Sequence, residues 1–169
     1  MYRCWAATSR GDRLTRAEEV DDRMVEPLDE NTRERFRSQR RRDTKPEVAI
    51  RSALHRKGLR FRVDRKVLAG MSSRPDVVFG PSKVAVFVDG CFWHRCPEHG
   101  TIPKNNREWW EDKLNRNVAR DRRVDEQLRE AGWQVLRFWE HDDPGVAADL
   151  TAESVGRRRP NRTSPRAQG

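Results

Sequence analysis

The sequence predicts an α/β protein with a mixed central β-sheet flanked by helices. Four short apolar runs have the length and composition of strands, two longer segments carry apolar residues at helical spacing, and turn-forming residues separate them. The predicted order is helix, three strands, helix, strand. With 169 residues, of which 34% are hydrophobic and 37% charged, the chain is long enough for one domain with a single core.

The first predicted helix begins at Thr44. In the segment TKPE, Thr44 is the N-cap, Pro46 lies in the first turn and Glu47 follows the cap by three residues, which is the capping-box arrangement. Apolar residues then recur at helical spacing until Gly58, a residue that typically ends a helix.

Three predicted strands follow this helix. The first is RFRV at 60–63, and the next two, at 76–80 and 83–89, are separated by a turn with the sequence GPS. The run VAVFV in the third strand is apolar at every position, which is typical of a central strand covered on both faces.

A long second helix is predicted over 107–131, ended by Gly132. Its apolar stripe consists of Trp110, Leu114, Val118, Val124 and Leu128. The run WQVLRFWE at 133–140 is the last predicted strand, and it follows this helix directly.

The formal net charge of +9 is concentrated in two segments. Residues 31–42 hold six arginines and one glutamate, and 156–169 hold five arginines and no acid. Arginine-rich segments around a nearly neutral core favour nucleic acid as the partner, because each neutralised phosphate releases condensed counterions. A solvated charge run is the alternative interpretation of the second segment.

These charges suggest a division of the chain. We interpret residues 1–42 as a basic, partly disordered arm that contacts DNA, with Arg40, Arg41 and Arg42 at the DNA backbone. Residues 146–169 are interpreted as an arginine-rich tail without regular structure.

Three cysteines, one of them isolated at Cys4, do not form a disulfide framework. The N-terminal residues do not resemble a signal peptide, and no segment has the ~20 apolar residues needed to span a bilayer. We therefore expect a cytoplasmic protein without membrane contact that acts as a monomer.

Two predicted strands have an aspartate at one end, Asp76 and Asp89. Acids at strand ends are usually just solvated, but two on neighbouring strands of a basic protein suggest a Mg²⁺ site, since Mg²⁺ prefers carboxylate, water and phosphate oxygens. Such a site suits phosphodiester cleavage of DNA.

The segment after the central strand, FVDGCFWHRCPEHG at 87–100, has the composition of a zinc loop. Cys91, Cys96 and His99 have the spacing C-x₄-C-x₂-H, and His141 at the end of the last strand is the candidate fourth ligand. The alternative is that the cysteines are small buried apolar groups. If zinc is structural, His94 is left to act as a general base beside Asp89.

Aromatic residues interrupt this loop. Phe92 and Trp93 lie between the aspartate and the zinc ligands, and Trp110 begins the second helix. Aromatic side chains can insert between base steps, which is least unfavourable at a mismatched pair. A core role is the alternative for Trp110.

From about 31 to 141 the chain resembles the very-short-patch-repair (Vsr) DNA mismatch endonucleases. The motifs are TKPE, RPD at 74–76, DGCFWH, CPEHG, KLNRNVARDRR and GWQVLRFWE. The resemblance implies a Vsr-type endonuclease domain over 43–145 with a restriction-endonuclease-like core, structural Zn²⁺, catalytic Mg²⁺ and nicking 5′ to the thymine of a T:G mismatch. A cytosine-5 DNA methyltransferase is the implied functional partner, because such mismatches arise when 5-methylcytosine deaminates.

The resemblance also implies roles for individual residues. Asp76 is similar to the family's metal carboxylate, Val88 to the residue whose carbonyl binds the same metal, His94 to the catalytic histidine and Glu47 to an acid that reaches metal-bound water. Phe92, Trp93 and Trp110 resemble the aromatics inserted beside the mismatch.

One position departs from the family pattern, because some members have histidine where this chain has Asp89. Asp89 is therefore a candidate catalytic residue that can join the metal site directly. Two alternatives to a mismatch nuclease are a restriction-like nuclease of the same fold without mismatch specificity and a non-catalytic, zinc-stabilised DNA-binding module.

Overall fold

A four-stranded mixed β-sheet with three helices organises the described residues of this computed structural model, 42–71 and 73–159. In chain order the elements are α1 (Lys45–Arg56), β1 (Arg62–Val63), β2 (Val77–Phe79), β3 (Val84–Asp89), α2 (Arg107–Glu130), β4 (Gln134–Trp139) and α3 (Pro144–Arg157). The predicted α/β class is confirmed, and the six predicted elements are present with slightly shorter strands.

The strand order β1-β2-β3-β4 combines two directions of pairing. β2 runs antiparallel to β1 and β3, whereas β4 runs parallel to β3. The start of β2 and the ends of β3 and β4 therefore lie together, at what we call the Asp89 end of the sheet. The β2–β3 turn and the start of β4 lie at the opposite end, which we call the Trp133 end.

Strand β3 is central and covered on both faces. Val84 and Val86 are fully buried against α1 and α3, while Ala85 and Phe87 pack on the other face with residues of α2 such as Leu128. Side chains alternate between the faces of a strand, so the continuous apolar run supplies both layers of the core.

The start of α1 is held by the Glu47 side chain. Thr44 Oγ1 donates to Glu47 Oε1 at 2.8 Å, and the Asp43 backbone N–H donates to Glu47 Oε2 at 2.9 Å. The predicted capping box is wrong in this respect, because the Thr44 hydroxyl does not cap a backbone N–H. Glu47 is only 7% exposed, so a carboxylate is buried at the first turn of α1.

Helix α3 corrects the prediction that 146–169 lacks regular structure. Asp143 Oδ1 accepts a hydrogen bond from the Val146 N–H at 2.8 Å, which caps the helix, and Pro144 occupies its first turn. Ala147, Ala148 and other small residues of α3 are buried in the core that α1 shares. The ordered domain thus extends to Arg157 at least.

The predicted N-terminal arm, including Arg40 and Arg41, lies outside the described residues, as do 160–169. None of the helices in the described part of the chain combines the length and the apolar composition needed to cross a bilayer.

Placing a carboxylate within α3 tests its packing. We expect Ala148→Asp to destabilise the protein by about 3 kcal/mol or more, because the new charge would lie unpaired in the core. A decrease in Tm of roughly 10 °C should follow, measured by circular dichroism. Val146→Asp, which makes the same change at an exposed position of α3, is the control. Equal Tm values for the two variants would contradict the packing of α3.

Candidate active site and metal centre

Ionisable side chains gather at the Asp89 end because of the strand register. Asp76 immediately precedes β2, Asp89 ends β3, and His141 follows β4 by two residues. The loop that leaves β3 carries His94 and the two cysteines. The structure therefore brings the predicted catalytic and zinc-binding residues to one end of the sheet.

Asp76 is a partly buried carboxylate whose charge Arg51 compensates only in part. Its Oδ2 accepts a hydrogen bond from the Val88 backbone N–H at 2.8 Å. Burial raises the pKa of Asp76 to about 7 despite this bond, and the negative charges of Glu47 and Asp89 contribute to the increase. A cation bound beside Asp76 would remove this penalty, so its surroundings fit a metal ligand.

Asp89 forms an ion pair with Arg137. Arg137 Nη1 lies 2.8 and 2.9 Å from the two carboxylate oxygens of Asp89, and the same guanidinium contacts Asp125 at 3.0 Å and covers the Phe87 ring. Burial raises the pKa of Asp89, while the charge of Arg137 lowers it in part. Asp89 is thus an ion-pair partner in a buried network.

His94 is oriented by Asp121, a residue that the sequence analysis missed. His94 Nδ1 lies 2.6 Å from Asp121 Oδ2 and 3.6 Å from Asp89 Oδ1. Burial opposes ionisation of Asp121, but the hydrogen bond and charge of His94 lower its pKa overall. With Nδ1 occupied, Nε2 is the ring nitrogen left to exchange a proton with a substrate.

Helix α2 positions the loop that contains His94. Asn117 Nδ2 donates to the Trp93 carbonyl at 3.2 Å, one turn before Asp121, and Asn115 Oδ1 accepts from the Arg95 guanidinium. Residues 115, 117 and 121 therefore hold three consecutive loop residues. The KLNRNVARDRR segment contains all three, and a four-residue spacing between Asn117 and Asp121 is the signal that places them on one helix face.

The predicted zinc ligands form a compact cluster. One donor atom from each of Cys91, Cys96, His99 and His141 lies within 4.8 Å of the others. The Cys91 Sγ to His141 Nδ1 distance is 3.1 Å, and Cys96 Sγ is 3.9 Å from Nδ1 of each histidine. Tetrahedral Zn²⁺ with bonds of about 2.0 to 2.3 Å requires donor separations of about 3.5 Å, so the cluster fits zinc.

Surrounding groups suit metal ligation. His141 directs Nε2 towards Glu98 at 3.5 Å while Nδ1 faces the sulfurs, which is the usual arrangement of a carboxylate behind a ligating histidine. Burial raises the pKa of the Cys91 thiol to about 12, and the neighbouring Cys96 adds to this effect. Ionised thiols at this position therefore require a cation.

Three aromatic rings, those of Phe92, Trp93 and Trp110, pack against one another at the loop that carries the cysteines. Phe92 contacts Trp93 and Trp110 with ring centroids 5.0 and 5.3 Å apart. Phe92 and Trp93 are half-buried, whereas Trp110 is 2% exposed and lies beneath them. DNA insertion by Phe92 and Trp93 stays a prediction, and the same role for Trp110 would require the loop to move.

Of the three arginines predicted at the DNA backbone, only Arg42 is among the described residues. It is exposed, and its Nη1 lies 3.2 Å from Asp64 Oδ2. An exposed ion pair of this kind contributes at most about 1 kcal/mol, so Arg42 can exchange it for a phosphate.

The chain is similar to proteins of known activity. The family model described as DNA mismatch endonuclease Vsr matches residues 26–98. The type II nicking enzyme V.NaeI of Lentzea aerocolonigenes is 50% identical over 119 residues, which cover 69% of this chain and 72% of that protein. V.XorIIP of Xanthomonas oryzae is 43% identical over 103 residues, covering 60% and 73%. The DNA mismatch endonuclease Vsr of Escherichia coli is 39% identical over 121 residues, covering 69% and 74%.

Gly100 offers a test of the metal centre, because its N–H donates to the Cys96 carbonyl at 2.8 Å. A Cβ at this position would overlap that carbonyl and approach the Cys96 nitrogen to 3.2 Å. We expect Gly100→Ala to weaken zinc binding about tenfold or more, measured by competition with a chromophoric chelator.

Gly156→Ala is the matched control for this change, since a Cβ there meets no atom within 4 Å. Wild-type protein should contain one zinc per chain by elemental analysis. Purified protein without zinc, or zinc held equally by both variants, would contradict the centre.

Proposed function

The chain belongs to the Vsr family of DNA mismatch endonucleases, and we propose on this premise that it nicks double-stranded DNA 5′ to the thymine of a T:G mismatch. The observation that carries the proposal is the loop that holds Phe92 and Trp93 directly beside His94 and the buried carboxylates. One rigid segment then carries both the residues that sense a weakened base pair and the residue that assists cleavage. A cytosine-5 DNA methyltransferase is the proposed source of such lesions, through deamination of its product.

We propose Asp76 and the Val88 carbonyl as ligands of Mg²⁺. Extending the β2–β3 register by two residues puts Pro75 opposite Val88. Proline has no N–H, so the Val88 carbonyl receives no ladder hydrogen bond from this position, although the Val88 N–H is bonded to Asp76. N–H and C=O of one strand residue point to the same side, so this carbonyl faces Asp76. The RPD motif thus leaves an oxygen ligand open beside a carboxylate.

When bound, Mg²⁺ would stabilise negative charge on the scissile phosphate. His94 accepts the proton of the attacking water at Nε2, because Asp121 fixes the tautomer by binding Nδ1. Glu47 extends the acidic surface around Asp76 from the start of α1 and orients water there. Its hydrogen bonds to Thr44 and Asp43 keep it in place.

Asp89 has a different proposed role. Because Arg137 binds both of its oxygens, Asp89 positions His94 from 3.6 Å and is not itself a metal ligand. Zinc held by these four protein ligands would have no open position for chemistry and would fix the shape of the loop. The core is proposed to be restriction-endonuclease-like, and Arg40, Arg41 and Arg42 to follow the DNA backbone.

The names of two relatives support single-strand cleavage, since V.NaeI and V.XorIIP are called nicking enzymes. A zinc-stabilised module without catalysis is disfavoured, because a buried carboxylate with a raised pKa and an oriented His94–Asp121 pair are found together. A restriction-like nuclease without mismatch specificity would use the same catalytic groups and would not need Phe92 and Trp93 beside them.

Nicking of T:G and T:A duplexes by wild type and Trp93→Ala tests the proposal. Base stacking on an aromatic side chain contributes about 1 to 3 kcal/mol, so loss of Trp93 should lower the ratio of single-turnover nicking rates on the two duplexes about tenfold. The nick should map 5′ to the mismatched thymine. Trp109→Ala, a half-buried tryptophan on the α2 side of the aromatic cluster, is the control. Equal wild-type rates on T:G and T:A duplexes would refute mismatch specificity.

Asp76→Asn should abolish nicking while duplex binding persists, because the variant loses a Mg²⁺ ligand and one negative charge near phosphate. A thermal-shift assay provides a second readout, since Mg²⁺ should stabilise wild type and not the variant. Residual nicking above about 1% of wild type would place the metal elsewhere.

The difference in stability between wild type and Asp76→Asn should depend on pH. The Asp76 pKa is raised in the folded protein, so wild type without divalent metal loses stability as pH increases from about 4 to 7. Asp76→Asn removes that dependence, and its advantage in Tm over wild type should therefore be larger at pH 8 than at pH 5. An advantage independent of pH would contradict the burial of an ionisable Asp76.

A further inference from the structure

A groove of about 620 Å³ lies at the Trp133 end of the sheet, opposite the proposed nicking site. The residues that line it include four cations and no carboxylate, together with apolar residues. The cations are Arg60, Arg62, Arg65 and Lys66, and the apolar residues include Val67, Val78 and Trp133. Phe61 also borders the groove, but its ring packs on the other face of the sheet against Phe79, with centroids 5.8 Å apart.

The charge of this groove is not balanced by nearby acids. Within 42–71 and 73–159, no carboxylate forms a salt bridge with any of the four cations. Asp64, the adjacent acid in sequence, is instead near Arg42 at 3.2 Å and Arg74 at 3.6 Å. A concave surface with four uncompensated positive charges fits an anionic ligand.

The Trp133 side chain narrows the class of anion that the groove fits. Sites for single-stranded nucleic acid combine a positive groove along the backbone with aromatic side chains on which bases stack. In a duplex the base faces are covered by their neighbours, so a duplex would contact the cations and leave the Trp133 ring without a stacked base. An acidic peptide would do the same. The volume is within the range of about 300 to 1,000 Å³ typical of small-ligand sites, which fits one or two nucleotides.

We propose that this groove binds single-stranded DNA at a site separate from the nicking site. A base stacks on Trp133, and the flanking phosphates pair with Arg60 and Arg62. Strand β3 separates the two sites by roughly 20 Å. Both sites can therefore be occupied at once.

Photocrosslinking of the full chain tests this site. The probe is an eight-nucleotide thymidine oligomer with one 5-iodouracil, in the presence of excess matched duplex that occupies the nicking site. We expect crosslinks in the peptide that contains Trp133, identified by mass spectrometry. Crosslinks confined to other peptides would overturn the proposal.

Substitution of exposed arginines tests the same site without disturbing the core. Arg60→Gln with Arg62→Gln should lower affinity for the oligomer at least fivefold and reduce the slope of log K against log salt by about 1.4, since each single-strand phosphate contact contributes about 0.7. Arg56→Gln with Arg157→Gln, two exposed cations outside the groove, is the control.

Three results would contradict the proposal. One is equal affinity of the two double variants. Another is unchanged affinity of Trp133→Leu, because stacking should contribute about tenfold. The third is displacement of the oligomer by polyglutamate as effectively as by unlabelled thymidine oligomer, which would identify an acidic protein segment as the occupant.

Discussion

The register of β3 between an antiparallel and a parallel neighbour is the constraint on which the site depends. Because β2 starts where β3 and β4 end, residues from three distant parts of the sequence meet at one end of the sheet. The backbone pairing of the strands is what brings Asp76, Asp89 and His141 together. A slip of one residue would turn every β3 side chain to the other face, so the core valines would leave the layer they fit and Asp89 would face away from Arg137.

The acidic residues at this end fall into two groups, which differ in whether a cation of the protein neutralises their negative charge. Asp89 and Asp125 share the Arg137 guanidinium, which is bound within the protein. Asp76 and Glu47 form no ion pair with a cation in the described residues; Arg51 offsets the charge of Asp76 only in part, and their surroundings favour an ion from solution. Because Arg137 neutralises the first group, several carboxylates can lie close together at this end of the sheet. The second group, Asp76 and Glu47, is where binding of a divalent metal is favourable. This division also separates the residues that shape the site from those that act on phosphate.

The fold was largely predictable because its strongest signals are local. The apolar run of β3, the helical stripe of α2 and the Thr44 start of α1 each depend on neighbouring residues. Helix α3 was missed because its small alanines give a weak apolar signal and an arginine-rich segment follows it. The zinc ligands were predictable from spacing, whereas the pairing of Asp121 with His94 and of Arg137 with Asp89 depends on how α2 and β4 pack. Such contacts between distant segments have no local pattern.

The pairing of Asp89 with Arg137 has a consequence for how this sequence can diverge. Arg137 contacts carboxylates and the Phe87 ring in a largely buried place, so replacing Asp89 alone would leave an arginine with excess positive charge, and replacing Arg137 alone would leave an unpaired acid. A protein with either single replacement is therefore less stable, and only the replacement of both residues together is well tolerated. The two positions should therefore be inherited as a unit, and a chimera that takes the end of β3 from a relative without aspartate at this position must take the matching residue of β4 with it.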